Sequence, residues 1–198
     1  MGTGKVAFEA TGKSDLYDYE EGLISQIDSI DTKKFKWDIQ NIKQIYEKNK
    51  AIYEKLSQET GFPPELICAI HYRESGCDFN SYLHNGDHPL GEPTRNYPAG
   101  KLFYDFDTAG QDALNGEKSK LKKYNISMSS DTKDMAAISA FAEAYNGLGY
   151  KNQGVVSPYI FSGTSVYTSG KYTSDNHYDP KAVDGQPGIY ILVNALQN

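Results

Sequence analysis

The sequence predicts a mainly α-helical domain with long loops and at most a small β-hairpin. Apolar residues recur at helical spacing in several segments, with charged residues on the opposite face. Proline and glycine stand where these segments would begin and end. Two long stretches, 77–104 and 146–186, are rich in glycine and other turn-forming residues. We therefore expect a helical bundle with two long loops beside it.

The first two long helices have the clearest boundaries. Regular apolar spacing predicts an amphipathic helix over about 38–59, which ends at Gly61. Pro63 and Pro64 then suit the first turn of a second helix, which is apolar and ends at Gly76.

Three more helices are predicted, over about 105–114, 132–145 and 188–196. Asp105 or Asp107 can cap the first of these helices, and Asp131 can cap the second. Asn85-Gly86 is a strong turn signal and predicts a small hairpin in the first long loop.

The first part of the chain differs in composition from the rest. Residues 1–35 are polar and glycine-containing, and they predict an arm or linker with a short helix near 20–30. The remaining residues, 36–198, have the apolar content of one domain. The N-terminus has no apolar stretch behind basic residues, so we expect no secretory signal.

Composition excludes some classes of partner. The net charge of −6 argues against nucleic acid, because binding phosphates needs a basic surface. No window is apolar enough for membrane insertion. The 2 cysteines, Cys68 and Cys77, are too few for a disulfide framework, although one bridge between them stays open. The 16 tyrosines supply flat faces with polar tips, which suit sugar-binding surfaces.

Glu74 is the clearest candidate for acid–base chemistry. It lies in the last turn of the predicted apolar helix, where the partial negative charge of the helix end disfavours a second negative charge. A half-buried apolar site disfavours the carboxylate as well. Both effects raise a glutamate pKa, so the group could act as a general acid near neutral pH. The alternative is a solvated glutamate beside Arg73.

Two segments carry a family resemblance. Pro63-Pro-Glu-Leu-Ile67, with Ile70 and Glu74-Ser75-Gly76, resembles the first motif of lytic transglycosylases of the lysozyme-like superfamily. Residues 141–147, Phe-Ala-Glu-Ala-Tyr-Asn-Gly, resemble that family's later Ala-Tyr-Asn motif. The resemblance covers about residues 38–198. The family's usual Gly-Leu-Met-Gln-type stretch is replaced here by His-Pro-Leu-Gly at 88–91, in a loop that looks like those of phage-encoded cell-wall lysins.

The resemblance implies a lysozyme-like α+β fold, with helices around a substrate cleft in a catalytic domain over 36–198. It implies cleavage of the β-1,4 bond between N-acetylmuramic acid and N-acetylglucosamine in peptidoglycan glycan strands, with Glu74 as general acid and base. It implies no metal and no organic cofactor. Such a protein would act at the bacterial cell wall, either released from the host cytoplasm through a holin or as part of a larger secreted or virion protein. The oligomeric state stays open.

The second catalytic group is less defined. Asp87 follows Glu74 by 13 residues, a separation similar to that of the acidic pair in goose-type lysozymes. If Asp87 faces Glu74 at ~6.5–9.5 Å, it could activate water for an inverting hydrolysis. Without a facing carboxylate, the 6-hydroxyl of the substrate would attack instead, which is the transglycosylase route. Asp87 could also be a turn residue after Asn85-Gly86.

Further residues are expected to bind substrate: Ser75, His84, Tyr145, Asn146 and Tyr159. Two other classes of function stay open. His84, Asp87, His88 and His177 could hold zinc in a cell-wall amidase or peptidase, although their spacing matches no motif. A non-catalytic glycan-binding module could use the tyrosines of 145–178 as its platform.

Overall fold

The computed structural model describes residues 15–174 and 177–198. Over these ranges the chain is mainly helical with one small antiparallel hairpin, which confirms the predicted fold class. The elements in chain order are α1 (Asp15–Ile24), α2 (Lys36–Lys48), α3 (Lys50–Thr60), α4 (Pro64–Ser75), α5 (Phe106–Lys123), α6 (Met135–Asn146), α7 (Gly149–Asn152), α8 (Pro158–Phe161), β1 (Lys171–Ser174), β2 (His177–Asp179) and α9 (Ile189–Gln197). Within these ranges, no helix combines the length and apolarity needed to cross a membrane.

Helix α4 lies at the centre of the core. Every residue from Glu65 to Tyr72 is buried, and α2, α3 and α9 all pack against this helix. Its predicted boundaries are confirmed. Pro64 occupies the first turn, where a missing backbone N–H costs nothing. Gly76 ends the helix with a φ of 64°, a left-handed conformation that favours glycine. The helix end that carries Glu74 is thus determined by local sequence.

Three other local predictions need correction. The helix expected over 38–59 is two helices, α2 and α3, separated at Asn49, whose side chain bonds back to the carbonyl of Ile45. Helix α6 is capped by Asp134, which accepts from two backbone N–H groups, and not by Asp131. Residues 77–104 contain no strand, so Asn85-Gly86 forms a turn without a hairpin, and the hairpin is β1–β2.

Helix α5 is longer than predicted. Asp105 caps it as expected, accepting from the N–H of Thr108 at 2.9 Å. The helix then continues past Leu114 to Lys123. This extension, over residues 115–123, carries Glu117 and Lys120.

The segment before α2 is packed against the helical core. Helix α1 lies earlier than the helix predicted near 20–30, and it packs on α6 while burying Leu16 and Glu20. Ile30 forms a β-bridge with Thr164. Residues 15–35 therefore contact the domain along their length, while the boundary at residue 36 stays a prediction and residues 1–14 lie outside the described residues.

Candidate active site

A cleft of about 260 Å³ opens at the C-terminal end of α4. Helices α4, α5 and α6 and the loop after α4 form its walls. Its lining residues are Glu74, His84, Asn85, Tyr97, Pro98, Ala113, Glu117, Lys120, Tyr145 and Asn146. Four of the predicted site residues, Glu74, His84, Tyr145 and Asn146, are thus brought together in one cleft.

Glu74 has the environment of a proton donor. The hydroxyl of Tyr159 donates a 2.8 Å hydrogen bond to its Oε1. Burial raises the pKa of Glu74 to about 7, while the Tyr159 hydrogen bond and the positive charge of Arg73 lower it by less. The group can therefore hold a proton near neutral pH and can also release it.

Arg73 connects Tyr159 to the loop before α9. Its guanidinium forms a 2.8 Å ion pair with Asp184 and donates to the carbonyl of Pro187 at 3.1 Å. The same cation lies 5.0 Å from the centre of the Tyr159 ring. Both charged side chains are almost fully buried. The ion pair therefore anchors the loop before α9 against α4 and supports Tyr159 beside Glu74.

Asp87 acts as a loop tether in the structure. Its carboxylate accepts hydrogen bonds from the backbone N–H groups of Arg95 at 2.7 Å and Asn96 at 2.8 Å, and from the Asn96 side chain at 2.6 Å. Burial alone would raise the pKa of Asp87. The hydrogen bonds together lower this pKa by a larger amount, so it lies below its usual value. Asp87 is not among the residues that line the cleft. Its backbone N–H bonds to Asn85 Oδ1, which is the turn role that the sequence left open.

Glu117 is a carboxylate of the cleft that was not predicted. It lies on the extended part of α5 and pairs with Lys120, whose ammonium also donates to the carbonyl of Ala144 at 2.7 Å. Burial and the charges of Glu74 and then Glu117 raise the pKa of Tyr145, so both carboxylates lie near that ring. Glu117 belongs to no motif in the sequence, so no sequence signal marked it as a site residue.

Tyr145 and His84 shape the cleft wall through contacts within the protein. The Tyr145 hydroxyl donates to the carbonyl of Leu83 at 2.6 Å, which holds the start of the loop. His84 Nε2 lies 2.9 Å from Asp112 Oδ2, and its ring stacks on Phe103. Burial lowers the pKa of His84 despite the hydrogen bond to Asp112, which favours the neutral imidazole. Its Nδ1 is buried and has no hydrogen-bond partner among the described residues.

The cleft continues into a second hollow. A space of about 450 Å³ shares Asn146 with the first cleft and is walled by Tyr150, Tyr172 and the strand residues Thr173 and Ser174. Asn146 is exposed at the junction of the two spaces. Tyr97 also lines the first cleft, and this residue is 92% exposed. Together the two spaces form a groove with aromatic side chains in each part.

Ser75 does not reach this groove. Its hydroxyl donates to the carbonyl of His71 at 3.3 Å and accepts from the Ser81 hydroxyl at 2.7 Å. It connects the end of α4 to the following loop.

Cys68 and Cys77 are both buried and free.

The side chains considered as zinc ligands lie apart. Across residues 15–174 and 177–198, no three histidine, cysteine, aspartate or glutamate side chains are grouped so that they could hold a metal ion. His84 is paired with Asp112, Asp87 is held by the loop, and His177 lies exposed in β2. The zinc-dependent alternative therefore gains no support from the geometry.

Comparison with known proteins identifies no relative of this chain. No family model, no curated protein and no solved structure matches the chain. The function must be inferred from the residues of the groove.

Proposed function

We propose that the protein is a peptidoglycan-cleaving glycosidase that cuts the β-1,4 bond between N-acetylmuramic acid and N-acetylglucosamine at the bacterial cell wall. The observation that carries this proposal is Glu74, a carboxyl group with a pKa raised to about 7 that lines an open cleft. The family resemblance of residues 63–76 and 141–147 supports the choice of substrate.

Proton donation to the leaving oxygen is the role of Glu74. Near pH 7 the folded protein holds a substantial fraction of Glu74 in the protonated form. As the glycosidic bond breaks, the proton moves to the leaving oxygen and Glu74 becomes a carboxylate. The Tyr159 hydroxyl, which donates to Oε1 at 2.8 Å, stabilises that carboxylate. A proton donor and its stabilising group are thus in place before substrate binds.

Glu117 is the residue that we assign to the second half of the reaction. It lines the same cleft as Glu74 but belongs to α5, so the two carboxylates come from different walls. As a base it would take a proton from water while the water oxygen bonds to the anomeric carbon. The anomeric carbon loses its bond to the leaving oxygen, which takes the proton of Glu74. Lys120 keeps Glu117 in position.

The groove has the chemistry that a glycan strand requires. Tyr97 offers a flat ring in the first hollow and Tyr172 in the second, and the Asn146 side chain offers both a donor and an acceptor for an N-acetyl group. The two hollows, which meet at Asn146, provide room for more than one sugar. We therefore propose that substrate lies along the line from Tyr97 to Tyr172.

Replacing Glu74 by Gln tests the proposal. We expect turnover of purified sacculi to fall by ~10² or more, with binding to sacculi retained. Glu92→Gln is the matched control, because Glu92 is exposed outside the cleft. Wild-type protein that binds sacculi without cleaving them would instead indicate a glycan-binding module. Activity lost in a chelator and restored by zinc would contradict the proposal.

A further inference from the structure

A third hollow, of about 440 Å³, is formed by α2 and α4. Five of its lining residues come from α2 and the sixth from α4; they are Trp37, Asp38, Gln40, Asn41, Gln44 and Tyr72. None of these residues lines the Glu74 cleft or the adjoining hollow among the described residues. It is therefore a separate surface feature with its own composition.

Trp37 is the most unusual member of this surface. It is the single tryptophan of the chain, and it is 80% exposed in the first turn of α2. Large aromatic side chains usually contribute to the core, because their burial stabilises the fold. The buried residues of this helix are Ile42 and Tyr46, so core packing does not account for Trp37. An exposed indole beside a hollow is more typical of a binding surface.

Three amide side chains lie on the same face of α2 as the Trp37 indole. Gln40, Asn41 and Gln44 follow Trp37 by three, four and seven residues, so they lie on the same face of α2. All three amide side chains are exposed, and all three line the hollow. Each amide offers two donor hydrogens and an acceptor oxygen. The Tyr72 hydroxyl donates to Asp38 Oδ1 at 2.7 Å, which fixes a carboxylate acceptor in the hollow.

We propose that this surface binds a neutral glycan strand of N-acetylated amino sugars, at a second site that is distinct from the Glu74 cleft. The apolar face of a sugar ring would stack on Trp37, and its hydroxyl and N-acetyl groups would bond to the amides. Asp38 and the net charge of −6 disfavour a polyanionic ligand. The choice of amino sugars, as opposed to other neutral glycans, rests on the proposed function.

Such a site would retain the protein on an insoluble wall between cleavage events. Two sites on one molecule that engage the same polymer raise the local concentration of substrate at the cleft. We therefore expect the second site to affect cleavage of intact sacculi more than cleavage of short soluble fragments.

Intrinsic tryptophan fluorescence tests the site directly, because Trp37 is the single tryptophan. The titration uses the Glu74→Gln variant, which prevents cleavage, with soluble β-1,4-linked N-acetylglucosamine oligosaccharides as the probe. We expect a saturable change in emission. Unchanged emission while calorimetry records oligosaccharide binding would place the sugar elsewhere and overturn the proposal.

A second experiment uses sacculi and a matched pair of variants. We expect Trp37→Ala and the double variant Gln40→Ala, Gln44→Ala to bind sacculi roughly tenfold more weakly, while cleavage of a short soluble fragment stays at the wild-type rate. Tyr104→Ala is the control, because Tyr104 is 78% exposed and lines none of the three hollows.

The outcomes separate this site from the proposed function. A fluorescence response in a protein that never cleaves sacculi would retain the Trp37 site and contradict the glycosidase. Equal binding by the wild type and Trp37→Ala would overturn the site and leave the glycosidase intact. Sedimentation that shows a dimer lost in Trp37→Ala would overturn it too, because a second copy of the chain would then occupy the surface.

Discussion

The hydroxyl of Tyr159 donates a 2.8 Å hydrogen bond to Oε1 of Glu74, although 85 residues separate the two along the chain. Tyr159 is itself buried, and the Arg73 cation lies over its ring. The pair therefore connects short helix α8 to the end of α4 at the point where the proton would be transferred.

Tyr159→Phe should shift the pH dependence of cleavage. The lost hydrogen bond stabilises the carboxylate form of Glu74, so its removal raises the Glu74 pKa above about 7. The protonated acid then persists to higher pH, and the alkaline limb of kcat/KM moves upward. A turbidity assay on cell walls over a pH series measures this limb. Tyr104→Phe is the control, and a limb that stays in place or moves downward would contradict the assigned interaction.

Glu117→Gln should slow hydrolysis by ~10²–10⁴ while leaving binding to sacculi unchanged. The reason is that the amide cannot take a proton from water. Glu54→Gln, on the exposed face of α3, controls for the change of charge. If Glu117→Gln keeps wild-type turnover and the products carry 1,6-anhydro ends, the substrate's 6-hydroxyl is the nucleophile and Glu117 has no catalytic role.

Asp184→Asn should destabilise the fold by ~3–5 kcal/mol, because it leaves the buried guanidinium of Arg73 without its 2.8 Å partner. Urea unfolding measures the change in the free energy of unfolding. Asp28→Asn is the control, since Asp28 is exposed. A loss below about 1 kcal/mol, the usual range of a surface ion pair, would show that Arg73 and Asp184 do not anchor this loop.

Two buried glutamates should limit stability at alkaline pH. Glu20 on α1 and Glu143 on α6 are both fully buried. Burial raises the pKa of Glu143 from 4.5 to about 7, and burial together with the charge of Glu143 raises that of Glu20 well above its usual range. The folded state therefore retains protons that the unfolded state releases, and stability falls as the pH rises from about 4.5 through 7.

Glu143→Gln should remove part of this loss. We expect its thermal midpoint to exceed that of the wild type above pH about 7 and to match it below about 4.5. Glu21→Gln provides the control from the exposed face of α1. A variant that is less stable than the wild type at alkaline pH would mean that the carboxylate makes favourable contacts in the core.

The local elements were predictable because their signals are local. Pro64 and Gly76 bound α4 by backbone preference alone, and Asp105 caps α5 as its position indicates. The break at Asn49 was not predicted, because a single residue between two amphipathic helices barely changes the spacing of the apolar residues. Asp131 and Asp134 are equivalent caps by sequence, and only the backbone geometry selects the second.

The two motifs marked the part of the site that was most directly predictable. Glu74 and Asn146 meet in one cleft, as the two motifs suggest, and Tyr159 reaches Glu74 itself. Glu117 carries no motif, and its position depends on how far α5 continues. Asp87 had a suitable spacing, but its hydrogen bonds to the 95–96 backbone depend on a loop conformation that spacing does not reveal.

Mass spectrometry of the products released from purified sacculi tests the proposed glycosidase most directly. We expect wild-type protein to release fragments with new saccharide ends at N-acetylmuramic acid, as reducing ends if Glu117 activates water. Glu74→Gln should release none above background. Intact glycan strands with cut peptides, or equal release by the wild type and Glu74→Gln, would contradict the assignment of Glu74 as the catalytic acid.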